Sequence, residues 1–378
     1  MQLPLKGITV LEFSQYLSGP CAGLRLADLG ARVIKIERPL GGEAGRRLAI
    51  KDMWVGDDSL LFHTINRNKE SFTTDFDDAN DRLWLNKLIA KADVIIENFR
   101  PGVMDRKGLG YEAVRQLNSA IVYTSITGYG NQGPWKDKPG QDLLVQSLSG
   151  LAHTSGNGED DFLPFGLAMG DYLCGNQAVQ AILAALIRRK RTGKGSLLQL
   201  SLLESLIDFQ FEFFTTYFHS GALPKRSAAN NAHALLSAPY GIYQTKDGYL
   251  AVAMMPLSKL NEAIACVMLE SFDEQDAFTK RDEIKAILQQ HLLQHTTAYW
   301  LEKGRPLDLW IAQVMNWRQL MEMKGYTDLK MEQWIQLADR KIKTTRCPIR
   351  INGQYFLSTT PAPVLGADTQ CIKSELAS

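Results

Sequence analysis

Four short runs of apolar and β-branched residues punctuate the first third of the chain, at residues 8–13, 31–37, 94–97 and 120–126. Apolar residues at nearly every position, rather than at alternate ones, predict strands buried on both faces. Between the runs the period becomes helical. Pro20 at a first helical position and Gly30 as a stop bracket a helix reaching Leu29. Trp84, Leu85, Leu88 and Ile89 share one helical face, and a helix runs from Gly102 to Gly108. Further on, Leu144, Leu148 and Leu151 predict one face of a helix starting at Asp142. An apolar helix over 170–188, a strand over 196–200 and an aromatic-rich helix over 203–218 follow. This alternation predicts an α/β fold, a Rossmann-like and mostly parallel sheet with helices on both faces. The G-x-G-x-x-G fingerprint is absent after the first strand, so a nicotinamide cofactor has no support. Residues 40–62 read as a long polar connection, a kind that is often functional.

Residues 220–237 carry Pro224, the pair Lys225-Arg226 and small polar residues, the composition of a linker. Beyond it, two strands over 240–244 and 249–253 flank Lys246-Asp247-Gly248, a hairpin signal. Helices are expected over 260–326, then a polar stretch at 338–345 and a second hairpin turning at Asn352-Gly353. The predicted organisation is a large domain over 1–219, a linker over 220–237, and a smaller α+β domain with its return linker over 238–337.

A length of 378 residues agrees with two domains. Forty-two basic against 41 acidic residues leave a net charge of +1, which argues against non-specific nucleic-acid binding; any anion site must be local. The cysteines Cys21, Cys174, Cys266, Cys347 and Cys371 form no C-x-x-C pair, so no zinc or redox motif is suggested, and they read as reduced thiols of a cytoplasmic protein. Neither a signal pattern nor an apolar run long enough to span a membrane is found. The basic run 188–194 reads as a charged last helical turn before Gly195, not as a nucleic-acid site.

The chemistry concentrates after the fourth strand. Gly128, Gly130, Gly133, Pro134, Pro139 and Gly140 forbid regular structure, and Asp142 then opens a helix. A strand, a glycine-rich loop and a carboxylate at a helix N-terminus place Asp142 at the carboxyl end of the sheet, where α/β folds bind ligands. Asp is also a preferred helix cap, and capping stabilises the anion that a nucleophile needs to be.

Tyr129, Gly133-Pro134, Asp142 and Gln146 together resemble the catalytic region of the class III CoA-transferases, the family of formyl-CoA, carnitinyl-CoA and bile-acid-CoA transferases. Residues 34–39, Asn68-Lys69, 97–102 and 361–369 resemble further landmarks of that family, so the likeness runs through nearly the whole chain. The resemblance implies CoA transfer from an acyl-CoA to a free carboxylic acid, with CoA as substrate and no bound cofactor or metal. Asp142 is then the nucleophile, passing through a mixed anhydride and an aspartyl-CoA thioester. Gly128, Tyr129 and Gly130 would line the oxyanion loop, with Gln15 and Tyr16 beside the thioester. Arg38, Lys69, Arg100, Arg106 and Lys107 would bind the CoA phosphates. The resemblance further implies that residues 338–378 return to complete the large domain and that two chains interlock as a homodimer.

Two rivals remain on the sequence. An α-methylacyl-CoA racemase of the same fold needs a His–Asp pair, and the helix at 111–117, where the resemblance would place the His, has none. A non-catalytic CoA-binding protein would not require the carboxylate. Where some family members carry a glycine-rich shielding loop, residues 254–259 lack glycine, which points to a different lid or a bulkier acid.

Overall fold

Six strands, β1 (Thr9–Glu12), β2 (Arg32–Glu37), β3 (Lys69–Thr73), β4 (Val94–Glu97), β5 (Val122–Thr127) and β6 (Ser196–Ser201), form one sheet in the order β3-β2-β1-β4-β5-β6. Every pairing is parallel. The structure, a computed structural model, describes residues 3–337 and 340–377. The strand order reverses between β1 and β4, and the crevice outside their carboxyl ends is the ligand position of such a sheet.

Alternate residues of each strand point to opposite faces, and in β1, β2, β4 and β5 both sets are buried, as the unbroken apolar runs require, whereas β6 leaves Leu197 and Gln199 exposed. Leu11, Ile34, Ile95 and Tyr123 pack against Leu85, Leu88 and Ile89 of helix α2 (Ala79–Lys91), with Ile372 of the C-terminal helix (Thr369–Ala377) in the same cluster. On the other face lie α1 (Ser18–Asp28) and α4 (Met169–Thr192), while α3 (Asp142–Leu148) follows the glycine loop. The α1–α4 contact is close: a Cβ on Gly175 would sit 2.6 Å from the Ser18 carbonyl oxygen.

The chain divides into two compact units. The first holds Met1–Val145, Ala168–Asp208 and Leu329–Ser378, and the second holds Gln146–Leu167 and Phe209–Asp328. The sequence-based boundaries instead assign 146–167 and 209–219 to the large domain. In the first unit the C-terminal segment is tied to β3: Asp368 accepts the Ser71 amide at 2.8 Å and Thr369 Oγ1 accepts the Thr73 amide at 3.0 Å. The second unit has a three-stranded antiparallel sheet of Ile311–Gln313, Tyr249–Val252 and Gly241–Gln244. Tyr243, Leu250, Leu257 and Trp300 lie in its core.

Several elements differ from expectation. Residues 40–62 contain two 3-10 turns, a two-residue hairpin and the start of helix Leu60–Ile65. Part of this segment is internal: buried Arg46 pairs with Glu37 and Asp58, with its guanidinium 4.0 Å from the Phe62 ring centroid, while Arg47, Lys51, Asp52 and Asp57 stay exposed. The aromatic helix breaks at Gln210 into Leu202–Phe209 and Phe211–Ser220. Within the expected polar stretch, Lys341–Thr345 forms a strand paired with Glu332–Gln336, while 338 and 339 lie outside the described residues. The strand at Ile311–Gln313 lies in a region read as helical throughout.

Candidate active site

The glycine loop closes on itself at its base. A Cβ on Gly128 would lie 2.5 Å from the Gly140 Cα, so neither position admits a side chain without displacing backbone. Gly130 has φ +90° and donates its amide to Thr127 Oγ1 at 2.9 Å, and the Tyr129 hydroxyl donates to the Pro139 carbonyl at 3.2 Å. The Gly130 amide is therefore spent within the loop and is not aimed at a substrate oxyanion, which corrects its expected role.

The loop delivers Asp142 to the first position of α3. Its side chain reaches across to a second helix. Asp142 Oδ1 accepts the amides of Gly170 at 2.7 Å and Asp171 at 3.2 Å, two of the unpaired donors at the start of α4. Gly170 makes the approach possible, because a Cβ there would meet Asp142 Oδ1 at 2.9 Å. The buried face of α3 is Asp142, Val145 and Gln146, with Ser149 buried just beyond its end, whereas Leu144 and Leu148 are exposed. The helix stops at Leu148, and Gly150 (φ +84°) separates it from Leu151, so the predicted leucine face does not form.

Capping α4 places Asp142 beside a second carboxylate, Asp171. Burial first, and then the neighbouring Asp142, push the Asp171 carboxyl up to about 6, while hydrogen bonds from the Ser18 hydroxyl and backbone oppose the rise. Asp171 thus lies at the N-terminal ends of its own helix and of α1, where the helix dipoles favour an anion. Asp142 is 8% exposed and Asp171 more so. The sequence reading missed Asp171 because 170–188 looked uniformly apolar. A carboxylate in the first turn, one turn before Gly175 on a face continued by Ala178 and Ile182, was the available signal.

The loops at the strand-order reversal are tied together. Gln15 donates its amide to Asn98 Oδ1 at 2.8 Å, and Asn98 Nδ2 donates to the Gln15 carbonyl at 2.8 Å. Tyr16 is exposed at φ +62°, with its amide on Glu43 Oε2 at 3.1 Å.

The five expected phosphate-binding cations separate into groups. Arg100 and Arg106 line a cleft of about 460 Å³ together with Lys136, Glu97, Tyr111 and Gln199. Glu97 is buried, and burial pushes its carboxyl up to about 7 against bonds from Ser125 and the Phe99 amide. Arg38 is exposed and donates to the Gly42 carbonyl at 3.3 Å. Lys107 pairs with Asp77 at 2.7 Å. Lys69 requires correction as a phosphate ligand. Its side chain is fully buried, with the ammonium 2.7 Å from Glu12 Oε2 and donating to the Pro20 carbonyl and Asn66 Oδ1 at 2.9 Å. Burial pulls this ammonium down to about 8 despite Glu12. With those partners around it, no face is open to a phosphate.

Among the described residues no group of three or more His, Cys, Asp or Glu is placed to hold a metal ion, and no helix is long and apolar enough to cross a membrane.

Residues 5–369 match CoA-transferase family III. Succinyl-CoA:glutarate CoA-transferase of Mus musculus is 35% identical over 307 residues, covering 79% of this chain and 69% of that protein. Acetyl-CoA:oxalate CoA-transferase of Acetobacter aceti is 33% identical over 307 residues, covering 79% and 77%. The crystal structure of a CAIB/BAIF family protein from Brucella suis shares the fold over 100% of both chains, with a TM-score of 0.85 at 29% identity. With a family match along almost its entire length and a sheet whose carboxyl end gathers two aspartates, this chain belongs to the class III CoA-transferases.

Proposed function

We propose that this protein moves CoA from an acyl-CoA to a free carboxylic acid through a covalent aspartyl intermediate, and that Asp171 is the attacking carboxylate. The sequence reading put that role on Asp142. The observation that supports the exchange is the placement of the pair: the buried Asp142 has Oδ1 committed to two backbone amides, while the more accessible Asp171 is held by Ser18. Asp142 then fixes the start of α4 and, as a neighbouring anion, raises the basicity of Asp171.

The chemistry follows from a carboxylate nucleophile. The Asp171 oxygen attacks the donor thioester carbonyl, forming a mixed anhydride and expelling CoA thiolate. The thiolate attacks the aspartyl carbonyl, giving an aspartyl-CoA thioester and the free donor acid. The acceptor carboxylate attacks that thioester, again releasing thiolate and forming a new anhydride. Thiolate attack on the acceptor carbonyl yields the new acyl-CoA and restores Asp171. No water is consumed and no proton need move. Arg100, Arg106 and Lys136 in the cleft are the cations suited to CoA phosphate groups.

Succinate, glutarate and oxalate, the acids in the relatives' names, form the natural first acceptor panel. The 254–259 segment supplies less to a lid than its sequence suggests, because Leu257 is buried in the second unit's core while Met254 is exposed. Incubation with succinyl-CoA or acetyl-CoA, hydroxylamine trapping and peptide mapping test the reading; a hydroxamate on Asp171 supports it, and none on either aspartate contradicts it.

A further inference from the structure

Helix α1 begins without a side-chain cap of its own. Leu17 occupies the cap position and its side chain provides no hydrogen bond, so the amide of Ser18, the first helical residue, has no partner within α1. That amide and the Ser18 hydroxyl both meet the Asp171 carboxylate. The same hydroxyl receives Asn98 Nδ2 at 3.4 Å, from the side chain that also clasps the Gln15 backbone on both its amide and its carbonyl. The Ser18 hydroxyl is thereby polarised: it accepts from Asn98 and donates to Asp171.

The surrounding backbone leaves this segment little freedom. The ammonium of Lys35 donates to the Ser14 carbonyl at 3.0 Å and that of Lys69 to the Pro20 carbonyl at 2.9 Å, and both ammoniums are paired with the buried Glu12. On the α4 side, Gly175 stands one turn beyond Asp171 and has no room for a Cβ against the Ser18 carbonyl. Residues 14–20 are thus anchored from below by two buried cations and from above by α4.

We propose that Ser18 is the positioning residue for the Asp171 carboxylate, holding it in the anionic form with one oxygen turned to the substrate. This rests on the reading of Asp171 as nucleophile. It gives the buried Glu12–Lys35–Lys69 network, which touches no substrate in the proposed reaction, a purpose: fixing the loop that presents Ser18.

The titratable groups around Asp171 are Asp142 from α3, Cys21 from α1 and Cys174 on α4 itself. Burial raises the two thiols to about 11 and about 12, so neither changes charge between pH 5 and pH 8. The acid limb of the rate profile therefore reports the carboxylate pair.

The test uses the full chain with succinyl-CoA and acetyl-CoA. It follows the pH dependence of kcat/KM and of hydroxylamine-trapped label for wild type, Ser18→Ala and Ser18→Thr. Loss of a donor to the charged form favours the neutral form, so Ser18→Ala moves the acid limb up by about one pH unit and lowers kcat/KM roughly tenfold below it, while Ser18→Thr restores the wild-type limb. An unchanged limb in Ser18→Ala, with wild type labelled on Asp171, overturns the role of Ser18 and leaves the nucleophile standing. Wild-type label on Asp142 overturns both. Should Ser18→Ala not fold, Ser18→Cys, similar in volume and a weaker donor, must show the same upward shift, and a wild-type limb there overturns the proposal.

Discussion

The Asp171 carboxyl links chemistry to stability. Its folded value of about 6 lies above the ordinary 3.8, so the native state binds this proton more tightly than the unfolded chain. The stability it contributes is full below the unfolded value and is lost as pH rises through about 6. Asp171→Asn should therefore be more stable than wild type at pH 7.5, by about 1–3 kcal/mol, with the difference vanishing toward pH 4. It should also abolish transfer. Calorimetry at the two pH values checks the sign; a variant destabilised at pH 7.5 would show that Asp171 is held by favourable contacts instead. Lys69 makes the opposite case. Lys69→Met removes one of two cations from the buried Glu12 and should cost about 3–5 kcal/mol in a denaturant titration. The salt dependence of CoA binding should stay unchanged. Arg106→Ala, in the cleft, should weaken CoA binding and flatten its salt dependence while leaving the melting temperature within about 1 °C.

Elements were legible where one local signal dominated. Both-face burial writes unbroken apolar runs, and the sheet strands at β1, β2, β4 and β5 were readable for that reason, while the edge strand β6 showed only a short leucine run. Elements whose partners are distant in sequence were not. The 40–62 segment looked solvated because Arg46 finds Glu37 and Asp58 only after folding. Likewise the local sequence around Asp142 gave no sign that its Oδ1 accepts two amides of α4, 28 and 29 residues away. The candidate site was therefore legible as a place, the carboxyl end after β5, but not as a pair of carboxylates. That pairing depends on Gly170, and Gly170→Ala should displace Asp142 and reduce kcat/KM by roughly 10²-fold with little change in helix content. Activity within twofold of wild type, measured beside circular dichroism, would remove the glycine from the mechanism.

At the level of the whole molecule, a single chain leaves much apolar surface in water. Leu144 and Leu148 on α3, Phe162 and Leu167 beyond it, and Phe211 and Phe218 in the helix Phe211–Ser220 are all exposed. A homodimer, which the family resemblance implies, is the state in which we propose that these side chains are covered. Sedimentation equilibrium should give twice the 42.3 kDa chain mass at micromolar concentration, and Leu144→Glu with Phe218→Glu should shift it toward monomer. A monomeric wild-type protein would refute the dimer while leaving the chemistry within each chain untouched.

That chemistry is tested most directly by mapping the trapped acyl group. Wild-type protein incubated with succinyl-CoA and hydroxylamine should carry a hydroxamate on the peptide containing Asp171; Asp171→Asn should carry none, and Asp142→Asn a reduced amount at the same residue. A hydroxamate on Asp142 that survives Asp171→Asn would reverse the assignment of the two aspartates. Turnover of succinyl-CoA with no hydroxamate on either would contradict covalent transfer.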